Sequence, residues 1–189
     1  MITGGDSIIG RFVCYHFALE GATVAFTDMI LKAKTTMKII YKRVVDQVMS
    51  KYGQIDILVS STVVQHYSTT LEKVTEVWLE RLLRTNIYGH FFWTKDCLKH
   101  MKEGSWLLDY SSTKSAIVSI TRALALKLIN EGIGVNAEAP GPLWTPLQPA
   151  SLPGRAGQPY EIAPSFVFLT SDDCSSYLTS GVIVNTSCC

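Results

Sequence analysis

Apolar residues along the chain follow two rhythms, one helical and one strand-like. From Gly10 to Glu20 they recur at helical spacing, and Gly21 supplies a stop before the short apolar strand Ala22-Thr23-Val24-Ala25-Phe26. A second helical pattern gathers around Val44, Val45 and Val48 and ends at Gly53. It is followed by Ile55-Asp56-Ile57-Leu58-Val59, a run suited to a strand buried on both faces. Between Val74 and Met101 the positions Trp78, Leu82, Leu83, Ile87, Phe91, Phe92 and Leu98 describe one or two long helices, with the polar Asn86 among them. Glu103-Gly104 breaks that run, and Ser105-Trp106-Leu107-Leu108 is a very short apolar stretch. A broad apolar surface then predicts a helix from Tyr110 to Asn130. The chain continues with a strand at Ile133-Gly134-Val135-Asn136-Ala137, a loop forced by Pro140-Gly141-Pro142, a helix from Tyr160 to Leu169 and a closing strand from Gly181 to Val184. No repeat or linker interrupts this order. Strands alternating with helices predict a single α/β domain with a parallel sheet flanked by helices.

Several polar residues fall where such a fold binds ligands. Thr3-Gly4-Gly5-Asp6-Ser7-Ile8-Ile9-Gly10 lies between a strand stub and the first helix. There glycines let the backbone approach a pyrophosphate and the helix N-terminus supplies positive potential. The plain alternative is an ordinary tight connection. Asp28, at the end of the second strand, is placed to accept hydrogen bonds from an adenosine ribose and to repel a 2′-phosphate, which favours NAD over NADP; otherwise it is a solvated strand end. Ser60-Ser61-Thr62 closes a buried strand at the edge where ligands bind. Tyr110 and Lys114, four apart at the head of the predicted helix, would share one face, where the ammonium lowers the phenol's pKa towards the range of proton transfer. Thr145, after the Pro-Gly loop, can reach a carboxamide or a phosphate. Asn86 is either exposed or satisfied by backbone.

Composition narrows the partners. The 189 residues are 47% hydrophobic and 17% charged with a net charge of +1, which predicts an apolar domain and a small-molecule or protein partner. Without a basic stripe, nucleic acid is not expected. Five cysteines without CxxC spacing predict neither a disulfide framework nor a metal site, and fit a reducing cytoplasm. No apolar run approaches the roughly 18 residues of a membrane span. Cys188-Cys189 follows a strand-like segment directly and is not read as a lipid anchor.

Together these segments resemble the short-chain dehydrogenase/reductase family over nearly the whole chain, closest to the glucose and ribitol dehydrogenase homologues. The resemblance is carried by Thr3-Gly4-Gly5-Asp6-Ser7 with Gly10-Arg11, by Phe17 to Phe26, by Arg84-Thr85-Asn86-Ile87 and by Leu98 to Gly104. Leu107-Leu108-Asp109-Tyr110, Ala139-Pro140-Gly141-Pro142 and Arg155-Ala156-Gly157-Gln158-Pro159 complete it. It implies a Rossmann-like, doubly wound parallel sheet, an NAD or NADP cofactor, and reversible hydride transfer between the nicotinamide and a hydroxyl or carbonyl carbon of a sugar, polyol or similar substrate. Tyr110 is then the general acid/base, Lys114 its pKa-lowering and ribose-holding partner, and Asn86 the anchor of a proton-relay water. Gly4, Gly5, Asp6, Ser7, Gly10, Asp28, Lys114, Pro140, Gly141 and Thr145 would hold the cofactor, and the helix 110–130 would supply a face for a homo-oligomer.

The chain also departs from the pattern. The family's serine, about a dozen residues before the tyrosine, has no counterpart: Cys97 stands 13 before Tyr110, and the nearest upstream serine is Ser105. Ile8 replaces the middle glycine of the phosphate turn, and Ser60-Ser61-Thr62-Val63 replaces an Asn-Asn-Ala-Gly pattern. The shortened stretches after Asp28 and before Tyr110 predict an incomplete sheet, with the third and fifth strands largely missing and the first truncated. Ser105-Trp106-Leu107-Leu108 is the one segment available to press into the interior gap. Impaired oxidoreductase activity is the expectation. A catalytically inactive binding or subunit protein and a non-functional truncated product are the alternatives.

Overall fold

The computed structural model describes residues 1–27, 37–64, 73, 75–103, 105–110, 114–141, 143–144, 156–175, 178–179 and 182–185. In chain order these form β1 (Ile2–Thr3), α1 (Ile8–Leu19), β2 (Phe26–Thr27), α2 (Met37–Tyr52), β3 (Ile57–Ser60), α3 (Glu76–Leu83), α4 (Gly89–Cys97) and β4 (Trp106–Tyr110). There follow α5 (Lys114–Leu128), β5 (Gly134–Pro140), α6 (Pro159–Phe168), the single turn α7 (Asp172–Ser175) and β6 (Val182–Asn185). The six strands form one parallel sheet in the order β2-β1-β3-β4-β5-β6. The chain starts inside the sheet, steps outward to β2, then returns past β1 and walks to β6. The reversal leaves a crevice at the carboxyl ends of β1 and β3, the switch point at which doubly wound sheets bind ligands.

Local sequence explains the helices. Ser7 caps α1 by accepting a hydrogen bond from the Gly10 N–H at 3.1 Å, and Gly21, at φ +81°, ends it in the left-handed conformation. Ile9, Val13 and Phe17, four apart, turn one face inward. A capping box opens α6: the Gln158 N–H donates to Glu161 Oε2 at 2.7 Å, and Pro159 occupies the first turn, where its missing N–H costs nothing.

Two apolar layers cover the sheet. On one face Ile2, Ile9, Val13, Phe17 and Val59 pack with Ile162, Ala163 and Phe166 of α6. On the other, Tyr41 and Val45 of α2 meet Trp93 and Cys97 of α4, Ala125 and Leu128 of α5, and Leu58 and Val135 of the sheet. With both faces covered, the interior strands are continuous apolar runs, as read from Ile55 to Val59.

The sheet is incomplete in strand length and at its edge. β1 has two residues and β2 two, and among the described residues no strand lies outside β2. The strand expected at Ala22–Phe26 contracts to Phe26–Thr27 because β1 offers only Ile2 and Thr3 to pair with. The interior position is filled: Trp106 to Asp109 pair with Ile57 to Ser60 on one side, and Trp106 to Tyr110 with Gly134 to Glu138 on the other. This corrects the helix expected from Tyr110. Leaving β3 and β5 unpaired in the interior would strand their N–H and C=O groups, so the segment up to Tyr110 is drawn into the ladder and the helix begins at Lys114.

Two outcomes follow. Phe166 is fully buried between α6 and α1, and Phe166→Ala should lower the unfolding free energy by about 3–5 kcal/mol in urea titration, with the midpoint falling accordingly. Burial pushes the Cys97 thiol up to about 12, so iodoacetamide at pH 8 should leave Cys97 unmodified in the native protein and alkylate it after unfolding, as read by peptide mass spectrometry.

Candidate active site at the carboxyl edge of the sheet

The crevice is built first by Thr3. Its side chain is wholly buried, and Oγ1 accepts hydrogen bonds from the Ser61 N–H at 3.1 Å and the Thr62 N–H at 3.3 Å. One hydroxyl thus ties the outgoing chain of β3 to the end of β1. Gly4 follows at φ +68°, where a Cβ would also stand 3.1 Å from Ser61 O. Gly5 donates its N–H to Thr27 O at 3.0 Å, stitching the turn to β2. A Cβ on Gly10 would lie 2.1 Å from Gly4 O, so the first turn of α1 can rest on the glycine turn only without a side chain there.

Asp6 and Ser7 are exposed beside that helix start. The Ser7 N–H donates to Gly4 O at 3.0 Å, and Arg11 Nε donates to Asp6 O at 2.9 Å. Ile8 is the first residue of α1 and is helical. Its place in the turn therefore demands no positive φ, and a β-branched residue is accommodated there by the backbone.

At the end of β3, Ser60 and Ser61 are buried, and neither hydroxyl has a hydrogen-bond partner among the described residues. Buried hydroxyls left this way cost stability unless something else bonds them. Together with the glycine turn and the N-terminus of a 12-residue helix, they fit the pyrophosphate side of a dinucleotide.

Asn86 sits in a turn of π-helix, Arg84–Tyr88, that joins α3 to α4. It is fully buried, its Nδ2 donating to Val64 O and its Oδ1 accepting from the Val64 N–H, both at 2.8 Å. The carboxamide therefore acts as a one-residue strand partner for the chain leaving β3, the backbone-satisfied alternative read from sequence. His90, one turn later in α4, is buried too.

Tyr110 is the last residue of β4 and Lys114 the first of α5, so they do not share a helix face. Both nonetheless remain at the carboxyl edge, one ending a strand and the other opening the next helix. Ser105 lies at the opposite end of β4, where its hydroxyl accepts from the Lys102 N–H at 3.0 Å. With about 3.3 Å of rise per residue, it stands roughly 16 Å of strand from Tyr110 and cannot serve the same site. On the far side, Pro140 ends β5 level with Asn185 of β6, and Gly141 follows at the same edge. Asp28 and Thr145 lie outside the described residues.

Two residues at this edge escaped the sequence reading. Thr3 was read only as the first residue of the glycine turn and given no role of its own, although a threonine just before the glycines was the available signal. Glu138 is buried and level with Tyr110 in the register of β4 and β5; a lone acid in the apolar run from Val135 to Pro140 was its signal.

Residues 29–107 match the family described as short chain dehydrogenase, and residues 107–186 the one described as Enoyl-(Acyl carrier protein) reductase. Glucose and ribitol dehydrogenase of Daucus carota is 43% identical over 246 aligned positions, covering 98% of this chain and 84% of the relative. Those 246 positions exceed the 189 residues present by 57, so the alignment opens gaps in this chain. The NADPH-dependent aldehyde reductase 1 of Arabidopsis thaliana, a chloroplastic protein, is 44% identical, covering 97% of this chain and 83% of that one. A short-chain dehydrogenase of Burkholderia cenocepacia solved with NADP superposes with a TM-score of 0.88 at 20% identity, covering 97% of this chain and 94% of the other, and supports the fold. Sequence and fold agree that the chain belongs to the NAD(P)-dependent short-chain dehydrogenase/reductase family of oxidoreductases.

Proposed function

We propose that the chain binds NAD or NADP at the switch point and carries out slow hydride transfer between the nicotinamide and a hydroxyl or carbonyl carbon of a sugar, polyol or related aldehyde. The observation that carries this is the preserved phosphate cradle: Gly4 against Ser61, Gly10 against Gly4, and the Ser7-capped start of α1 beside them. When bound, the cofactor supplies or accepts the hydride. Gly4, Gly5, Asp6, Ser7 and Gly10 hold its pyrophosphate, and the buried Ser60 and Ser61 hydroxyls offer hydrogen bonds beneath it. Pro140, Gly141 and Thr145 flank the nicotinamide end. Asp28 accepts from the adenosine ribose and favours NAD; the NADPH-dependent relative makes this the first choice to test.

Tyr110 donates or takes the hydroxyl proton, Lys114 holds the phenol's pKa down and contacts the ribose, and Asn86 organises the relay behind them. Impairment follows from the missing serine. Without a hydroxyl to orient the substrate oxygen, about 10²–10³ in rate is lost by comparison with removal of one oxyanion donor. The second reading, a binding or subunit protein without turnover, is favoured by the placement of Tyr110 at a strand end and Ser105 at the wrong edge. Exposed apolar side chains on the α4 and α5 side, Phe91, Leu126 and Ile129, support a homo-oligomer. We place the protein in a reducing cytoplasm, where Cys14 and Cys97 stay thiols. No described helix is long and apolar enough to cross a membrane.

Binding is tested by thermal shift. At 100 times its dissociation constant, NADH or NADPH should stabilise the protein by about 2.7 kcal/mol, and the absence of any shift at millimolar concentrations of both rejects the proposal. A larger shift with NADPH than with NADH removes the role given to Asp28. If turnover is found with an aldehyde or polyol, Tyr110→Phe should abolish it while leaving the cofactor shift unchanged. Turnover retained by Tyr110→Phe assigns the proton to another group.

A further inference from the structure

Glu138 is a buried acid at the active edge that neither cofactor binding nor proton transfer by Tyr110 requires. It is 2% exposed and stands on β5, two residues before the strand ends at Pro140. A carboxyl taken out of water acts strongly on whatever ionisable group stands beside it, and the seven residues of β5 hold no other. That neighbour is found on the elements packed against the strand.

The register names it. Tyr110 of β4 and Ile183 of β6 are the Cα partners of Glu138, so the three form one rung at the carboxyl edge. Adjacent strands lie about 4.8 Å apart, and no residue comes between the two acids. Val135 packs in the layer of α2, α4 and α5, whereas Asn136 donates its Nδ2 to Leu169 O at 3.2 Å, just beyond α6. By the alternation of a strand, Glu138 lies on the α6 face with Asn136, and α5, which Lys114 opens, covers the other face. Arg122 and Lys127 of α5 and Tyr160 and Glu161 of α6 are exposed, and β6 carries no ionisable side chain. Asp109 of β4 is on the preceding rung, level with Ala137. Tyr110 on the same rung and Lys114 at the head of α5 remain.

An acid beside the phenol works against Lys114. Carboxyl is the stronger acid, with reference values of about 4.3 against about 10, so the first proton lost by the pair comes from Glu138. A phenolate formed beside a protonated carboxyl would take that proton back. Ionised Tyr110 therefore requires a second negative charge on the rung, which the first one opposes where water is excluded.

We propose that Glu138 is a positioning residue that keeps the Tyr110 phenol protonated, so that the site gives a proton to a carbonyl oxygen and does not take one from an alcohol. This rests on the oxidoreductase reading and names its direction and substrate class, an aldehyde or ketone in place of a polyol. In that step the phenol O–H breaks and its proton bonds to the carbonyl oxygen, using the π pair of the C=O bond. The carbon takes a hydride, with its two electrons, from the reduced nicotinamide, and the phenolate regains a proton from solvent.

The test uses the 189-residue protein without cofactor, labelled with ¹³C at the tyrosine Cζ and titrated between about pH 6 and 11 by NMR. The Tyr110 signal is identified by its loss in Tyr110→Phe. Its midpoint in the unmodified protein should lie above about pH 9. Glu138→Gln, which keeps the shape and removes the charge, should lower that midpoint by at least about one pH unit, and Glu138→Val should do the same. A midpoint below about pH 9 in the unmodified protein overturns the proposal. So does an unchanged midpoint in Glu138→Gln, since a shift in Glu138→Val alone reports packing. Should neither variant fold, the unmodified protein decides. With NADPH or NADP added, glyceraldehyde should be reduced at pH 7 and glycerol oxidised only above about pH 9, with Glu138→Gln lowering the onset of oxidation. Glycerol oxidation at pH 7 by the unmodified protein overturns the assigned direction. Failure of both cofactors to bind, with the midpoints as expected, rejects the oxidoreductase reading and leaves the effect of Glu138 on Tyr110 standing.

Discussion

Two interior strands, β3 and β5, each carry a row of buried N–H and C=O groups that only a strand between them can bond, and the rest of the structure depends on how that demand is met. The five residues Trp106–Tyr110 meet it. An interior gap would forfeit several backbone hydrogen bonds, each costing roughly 1–3 kcal/mol when a buried group is left unmade. Against that, ending a helix a turn early costs little. The sheet therefore takes Tyr110 into β4, and α5 starts at Lys114. Relatives align over more positions than this chain has residues, and the strand is built from what remains.

The two sides of the crevice have been affected unequally. The phosphate side rests on contacts between backbone atoms: Gly4 close to Ser61, Gly10 close to Gly4, Gly5 bonded to Thr27, and the Thr3 hydroxyl spanning to β3. Those contacts need only the first ten residues and the ends of β2 and β3, so they survive shortening elsewhere. The chemical side depends on where β4 stops and α5 begins, the place where the sheet has recruited residues. Asn86 belongs to the preserved part, since its pairing with Val64 holds the π turn against the chain leaving β3.

Much of this was legible in the residue order. The helices of Gly10 to Glu20 and Tyr160 to Leu169, the strand after Gly53, the glycine turn and the stop at Gly21 are local events, decided by periodicity, caps and left-handed glycines within a few residues of each other. The family, too, was readable from spaced segments. Tyr110 and Lys114 were not placed correctly, because a Tyr-x-x-x-Lys spacing reads as one helix face until two distant strands, β3 and β5, compete for the same residues. Thr3 and Glu138 were missed for a related reason: a buried hydroxyl and a buried acid acquire meaning only from what the sheet sets beside them. The sequence by itself determined the element types, their order and the phosphate turn, all products of short-range sterics. Only the tertiary structure decided which residues end a strand at the active edge, because that depends on hydrogen bonds between segments tens of residues apart.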